Sequence, residues 1–170
     1  MWNSLAAQTC WKQTQSPARS TRPLPCGQPS LLGREVLRRA QEFLDSGEDF
    51  AIETTLSGNW TRRVITEALA RHLFVRVLYI CLDSPERCIQ RVNERVAQGG
   101  HHVPAADVRR RYFRSLGNLR QVLRIVDEAV IYDNSGLEPR LIVEIRSGIV
   151  VNKAEDLPIW ASQLLEAVRA

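Results

Sequence analysis

Apolar residues recur every three or four positions in five segments of the chain, which is the spacing of an amphipathic helix. Between these segments lie shorter apolar runs rich in β-branched residues, which are typical of strands. The predicted helices cover 31–46, 60–69, 85–98, 104–127 and 158–170, and the predicted strands cover 49–54, 74–82, 129–132, 140–146 and 149–152. Because helices and strands alternate, the pattern predicts an α/β fold with a mostly parallel sheet.

Local signals place several of these boundaries. Ser84-Pro85-Glu86 supplies a capping serine, a first-turn proline and a carboxylate near the positive end of a helix dipole. Gly99-Gly100 predicts the end of that helix, and Gly117 a break in the next one. The apolar run 74–82 predicts a strand buried on both faces. Ser147-Gly148 predicts the turn of a hairpin near the end of the chain.

The first thirty residues differ from the rest in composition. They are rich in Gln, Ser, Thr and Pro, and their apolar residues follow neither helical nor strand spacing. The sequence therefore predicts a disordered or non-homologous leader over 1–30, followed by one domain over 31–170.

Composition allows an ordinary globular domain. The chain has 170 residues, of which 44% are hydrophobic, enough to bury a core. Its longest apolar stretch, 75–82, is much shorter than the roughly 20 residues of a membrane-spanning helix. The first residues lack a basic segment followed by a long apolar one, so no secretory signal is predicted. We therefore expect a cytoplasmic protein with no membrane partner.

The basic residues are nearly all arginines. The net charge is +4, and Lys12 and Lys153 are the two lysines of the sequence. A planar guanidinium group matches the oxygens of a phosphate. This composition is compatible with a phosphorylated ligand, with nucleic acid, or with arginines that only solvate the surface. Nucleic acid is the least favoured partner, because no nucleic-acid-binding module is visible and aromatic residues are few.

Metal binding is not predicted. The four cysteines show no C-x-x-C pair, and Cys81 and Cys88 lie in apolar segments, where cysteine acts as a small hydrophobic residue. His101 and His102 lie in a glycine-rich stretch without a third ligand at a zinc-like spacing, which favours loop residues.

Polar residues follow three predicted strands, where ligands bind in open α/β sheets. These strand ends are Glu53-Thr54-Thr55, Asp83-Ser84 and Asp133-Asn134-Ser135. A carboxylate and hydroxyl groups at the first of them suit the hydroxyls of a sugar or nucleoside. The alternative is a turn in which Thr55 or Ser57 caps the following helix.

Arginines flank the glycine-rich stretch. Arg91 and Arg95 are four residues apart on one helical face, and Arg109, Arg110 and Arg111 lie in the next helix. Two helices that carry guanidinium groups towards a cleft at the strand ends are typical of a lid that closes over polyphosphate.

Four segments, in this order, resemble the zeta-toxin-type P-loop kinases. They are 47–58, with GEDFAIETTLSG, 91–104, with the arginines and His-His-Val-Pro, 110–119, with RRYFRSLGNL, and 132–135, with YDNS. The resemblance covers about 31–149. It implies a three-layer α/β sandwich of the P-loop kinase type, with a mostly parallel sheet.

The resemblance also implies roles for individual residues. ATP and Mg²⁺ would be the cofactors, and the γ-phosphoryl group would pass to a hydroxyl of a nucleotide sugar or a similar small molecule. An antitoxin protein is a further implied partner. The implied substrate-binding residues are Glu53, Thr55, Arg91 and Arg110, the catalytic ones Arg95 and Arg111, and those near the adenine Asn134 and Ser135.

The phosphate-binding loop of that family is missing from the sequence. Neither Lys12 nor Lys153 stands in a G-x-x-x-x-G-K-[ST] motif, in which backbone amides and a lysine hold the phosphates. The family places this loop, its first strand and an aspartate that activates the acceptor before the position of Leu31. We therefore expect a sheet that lacks its N-terminal strand and an inactive, truncated kinase. The alternative is a pseudo-kinase that binds a nucleotide or a partner without catalysis.

Overall fold

Helices and strands alternate along the described part of the chain. The computed structural model describes the backbone of residues 7–11 and 29–169, and the side chains of residues 35–166. The strands are β1 Ala7–Trp11, β2 Ala51–Thr54, β3 Val75–Cys81, β4 Glu128–Asp133, β5 Arg140–Arg146 and β6 Ile149–Lys153. The helices are α1 Pro29–Ser46, α2 Asn59–Ala70, α3 Pro85–Ala97, α4 Ala105–Val122 and α5 Ile159–Arg169. The predicted elements from residue 31 onward are all present, and the α/β class is confirmed.

One mixed sheet contains the six strands in the order β2-β1-β3-β4-β5-β6. Of its five neighbouring pairs, β3 with β4 is parallel and the other four are antiparallel. The prediction of a mostly parallel sheet is therefore wrong. Part of the difference follows from the length of two connections. A parallel neighbour requires a long crossover, usually a helix, and the segments after β4 and β5 are too short to contain one.

Strand β1 lies in the segment where the sequence shows no strand spacing. It pairs antiparallel with β2 on one side and with β3 on the other. These five residues lie within the predicted leader, and the division into a disordered or non-homologous leader over 1–30 and a domain over 31–170 stays a prediction. The expectations for the other residues before Pro29, Lys12 among them, lie outside the described residues.

Local capping signals act as predicted. Ser84 caps α3 by accepting a hydrogen bond from the backbone N–H of Arg87 at 3.3 Å. Ser147 and Gly148 adopt φ of 47° and 75°, the left-handed conformation that a tight hairpin turn between β5 and β6 requires. The predicted break at Gly117 is absent, because this residue continues α4. Within residues 29–169, no helix is both long and apolar enough to cross a membrane.

The core is one cluster that joins the sheet to the helices. Alternate residues of β3, from Val75 to Cys81, are buried, and the residues between them are half-buried. The strand is therefore fully covered on one face only, which corrects the prediction of two buried faces. Ile131, Leu119 and Leu164, none more than 1% exposed, join the core from β4, α4 and α5.

Helix α4 fixes the chain that leaves β2. Ser115 donates a hydrogen bond to the backbone carbonyl of Thr55 at 2.7 Å, and Asn118 donates one to that of Leu56, also at 2.7 Å. Leu56 adopts φ of 56°, a left-handed conformation that is strained for a residue with a branched side chain. Its burial at 1% exposure and the contacts from α4 hold this turn in place.

We expect Ser115→Ala to lower the free energy of unfolding by about 1–3 kcal/mol, because it leaves the Thr55 carbonyl and the Tyr79 hydroxyl without partners. Urea unfolding followed by circular dichroism measures the change. Ser162→Ala is the matched control, because its hydroxyl makes only a 3.5 Å contact with the carbonyl of Pro158. Equal stabilities for the two variants would contradict the assigned role of Ser115.

Candidate functional site

A cavity of about 440 Å³ lies between α3, α4 and the carboxyl ends of β3 and β4. Its lining comes from α3, α4, β3 and the segments that follow β2, β3, α3 and β4. The lining residues are Thr55, Tyr79, Ile80, Cys81, Leu82, Cys88, Arg91, Val92, Glu94, Arg95, Gln98, Val103, Val108, Arg111, Tyr112, Ser115 and Asn134. The size is within the range of small-molecule binding sites.

Backbone and side-chain hydrogen bonds join the two central strand ends beside the cavity. The Asn134 backbone N–H donates to the Cys81 carbonyl at 2.8 Å. The Ser135 hydroxyl accepts a bond from the Asp83 backbone N–H at 2.7 Å and donates one to Asp133 at 2.5 Å. The ends of β3 and β4 thus meet at one edge of the sheet, as the sequence predicts.

The inner part of the cavity, which we call the floor, is formed by buried residues. They are Tyr79, Cys81, Leu82, Cys88, Val92, Val108, Tyr112 and Ser115, each at most 9% exposed. Burial raises the pKa of the Cys81 thiol to about 12 and that of the Cys88 thiol to about 11. Burial also raises the pKa of Tyr79 and of Tyr112. All four groups are therefore neutral at physiological pH, and neither thiol is an activated nucleophile.

The outer part, which we call the mouth, carries the charge. It consists of Thr55, Arg91, Glu94, Arg95, Gln98, Arg111 and Asn134, all exposed or half-buried. Arg91 donates to the backbone carbonyl of Asn134 at 2.6 Å, and Arg95 donates to that of His101 at 3.1 Å. Arg111 is exposed and makes no hydrogen bond or ion pair with another described residue.

Five of the eight predicted site residues line this cavity. They are Thr55, Arg91, Arg95, Arg111 and Asn134. Three others lie outside the lining. Glu53 is exposed on β2, Arg110 pairs with Asp107 at 2.9 Å on the outer side of α4, and Ser135 is bonded to the strand ends.

The sequence does not predict the residues of the floor as part of a site. Tyr112 stands in the apolar stripe of α4, and Tyr79 and Cys81 alternate with half-buried residues along β3. Their burial is typical of core residues, so no local signal separates them from side chains that fill the interior. Glu94 was also missed, although its position three residues after Arg91 places it on the same side of α3.

Known proteins give no further guide to the site. Comparison of the chain with protein-family models, with characterised proteins and with solved structures finds no match. The resemblance to zeta-toxin-type kinases therefore depends on the four sequence segments alone.

The lining offers few oxygen ligands for the Mg²⁺ that the family resemblance implies. Magnesium prefers carboxylate and other oxygen ligands, and Glu94 is the one carboxylate of this lining. Glu94 already accepts a hydrogen bond from Gln90 at 2.9 Å. Among the described side chains no three His, Cys, Asp or Glu residues come together as a metal-binding group. Binding of Mg²⁺ and ATP therefore stays a prediction from the resemblance.

The burial of Cys81 predicts a loss of stability in alkaline solution. A free thiol has a pKa of about 8.5, so above this pH the unfolded chain releases a proton that the folded chain retains. The free energy of unfolding should then fall by up to about 1.4 kcal/mol per pH unit from this group, until the pH reaches the folded pKa of about 12.

Urea unfolding at pH 8.5, 9.25 and 10 measures this slope in the parent chain and in Cys81→Ser, whose hydroxyl does not titrate in this range. We expect a smaller slope in the variant. Parallel slopes would show that the Cys81 thiol does not stay protonated in the folded chain.

Proposed function

We propose that the chain binds a phosphorylated small molecule at the mouth of the cavity and does not transfer the phosphoryl group. The observation that carries this proposal is Arg111, an exposed guanidinium group on the cavity lining with no partner among the described residues. A guanidinium group offers five N–H donors in a planar fork that suits two phosphate oxygens at once. Arg95 lines the same mouth and uses one donor on the carbonyl of His101.

The balance of charge at the mouth favours a dianion. Three guanidinium groups and the single carboxylate of Glu94 give the lining a formal net charge of +2. A phosphate monoester carries about −1.5 to −2 charges at pH 7, whereas a carboxylate carries one. A phosphoryl group therefore matches the mouth more closely than a carboxylate does.

Arg91 has a different position from the other two arginines. It is half-buried, and its bond to the Asn134 carbonyl joins α3 to the end of β4. A guanidinium group that is held in this way loses less freedom when a ligand binds. We assign Arg91 to the orientation of the phosphoryl group, and Arg95 and Arg111 to the neutralisation of its charge.

The kinase interpretation remains a prediction. We propose binding alone because of the groups that the cavity lining provides. Phosphoryl transfer depends on a lysine or loop that holds the β and γ phosphates, on a metal and on a group that orients the acceptor. Of the two lysines, Lys153 lies in the part of the chain that the structure describes. It is on β6 at one edge of the sheet, and β5 separates that strand from β4. It does not line the cavity.

We expect Arg111→Gln to weaken the binding of phenyl phosphate by about tenfold, because one charge-assisted hydrogen bond is lost at an exposed position. Isothermal titration calorimetry at low ionic strength measures the affinity, which should also fall as salt is added. Arg110→Gln is the matched control, because this neighbouring arginine is exposed on the same helix but pairs with Asp107 outside the cavity. Equal losses in the two variants, or no binding by the parent chain, would contradict the proposed site.

We expect no transfer of radiolabelled phosphate from the γ position of ATP by the purified chain, to water, to a nucleotide sugar or to the chain itself. Thin-layer chromatography and gel autoradiography detect the products. The test is made with Mg²⁺ present and with an Arg95→Gln, Arg111→Gln variant prepared identically, which controls for contaminating kinases. Transfer by the parent chain that the variant lacks would restore the kinase interpretation.

A further inference from the structure

The floor of the cavity is apolar as well as buried. The apolar residues Leu82, Val92 and Val108 line it, together with Cys81, Cys88, Tyr79 and Tyr112. None of its side chains is charged at neutral pH, since burial keeps the thiols and phenols protonated. A ligand group that enters the floor is therefore transferred from water to an apolar surface.

The hydroxyl groups of the floor already have partners within the protein. Ser115 donates to the Thr55 carbonyl at 2.7 Å and lies 2.9 Å from the Tyr79 hydroxyl, which therefore donates to it. Tyr112 donates to the Leu82 carbonyl at 3.0 Å. Each of these three hydroxyl protons is used inside the protein, so a ligand oxygen at the floor finds no side-chain O–H donor, and only the phenol oxygens are left as acceptors for a ligand hydroxyl.

A polyhydroxylated group would be unfavourable at the floor. Burying a hydroxyl group without a partner costs about 1–3 kcal/mol, and a sugar ring carries several of them. Polar side chains that are able to serve such a group, Thr55, Gln98 and Asn134, are confined to the mouth. A hydroxyl-rich ligand of the kind that the family resemblance implies is therefore less favourable at the floor than a hydrocarbon.

We infer that the ligand of this site is an organic phosphate whose organic part is a compact hydrocarbon, with the phosphoryl group at the arginines of the mouth and the hydrocarbon on the floor. This inference depends on the proposed phosphate binding and adds the chemical class of the remainder of the ligand. The side chains of the floor are uncharged, and their hydroxyl groups donate within the protein. They therefore favour a hydrocarbon over a nucleoside or a sugar.

A series of alkyl phosphates tests the inference on the full 170-residue chain. The probes are inorganic phosphate, ethyl, butyl and hexyl phosphate, and uridine 5′-monophosphate, each titrated by calorimetry at one pH and ionic strength. We expect the affinity to rise by about fourfold for each methylene group that enters the floor. Uridine 5′-monophosphate should bind no more tightly than ethyl phosphate.

A variant that narrows the cavity supplies the second test. Val103→Leu adds one methylene to a half-buried lining residue in the segment between α3 and α4, where the chain tolerates a larger side chain better than in the core. It should weaken hexyl phosphate by at least fourfold and leave inorganic phosphate unchanged. Val96→Leu is the matched control, because Val96 is half-buried on α3 but does not line the cavity.

The outcomes separate the two proposals. Binding of every phosphate with equal affinity, weakened by Arg111→Gln, would overturn the hydrocarbon inference and leave the phosphate site intact. Tighter binding of uridine 5′-monophosphate than of hexyl phosphate would also overturn the inference. No binding of any probe would overturn the proposed function itself. Circular dichroism and thermal unfolding of each variant establish that it is folded.

Discussion

The parallel pairing of β3 and β4 is the constraint on which the rest of the site depends. Six residue pairs, from Arg76 with Glu128 to Cys81 with Asp133, end the two strands at the same level of the sheet. A parallel pair also requires a long crossover, and in this chain α3 and α4 form it. One pairing therefore brings together the strand ends, the two arginine-bearing helices and the space between them.

Hydrogen bonds at the ends of β3 and β4 hold the two helices that border the cavity. Asn134 is bonded to β3 through its backbone N–H and to α3 through the carbonyl that accepts from Arg91. The Tyr112 hydroxyl bonds α4 to the carbonyl of Leu82 on the opposite side. Because both helices are held to the same strand ends, the distance between them is set by the sheet and not by their own contacts alone.

Most of the fold was predictable because its signals are local. The serine cap of α3, the glycine after α1 and the Ser147-Gly148 turn each act within a few residues of the chain. Strand pairing is not local, which is why the direction of the neighbouring strands was predicted wrongly. Ala7–Trp11 is the clearest case, since its place between β2 and β3 comes from backbone pairing and leaves no spacing in the sequence.

The candidate site was predictable in its charges and not in its floor. Arginines spaced four apart and polar residues after strands are visible in the sequence, and Arg91, Arg95, Thr55 and Asn134 among them line one cavity. Glu53 lies outside the cavity lining, and β2 ends one residue later at Thr54. Thr55 reaches the cavity lining while the carboxylate two residues earlier stays on the exposed side of the strand.

The separation of charge from apolar surface along one cavity has a physical consequence for selectivity. At the mouth, water competes for the exposed Arg95 and Arg111, so the phosphoryl groups of different ligands gain a similar and modest free energy there. On the floor, each buried methylene stabilises the bound ligand and each unpaired hydroxyl destabilises it. Water screens neither effect strongly there. Discrimination between phosphorylated ligands must therefore come from the uncharged half of the cavity, the half whose residues look in the sequence like ordinary core.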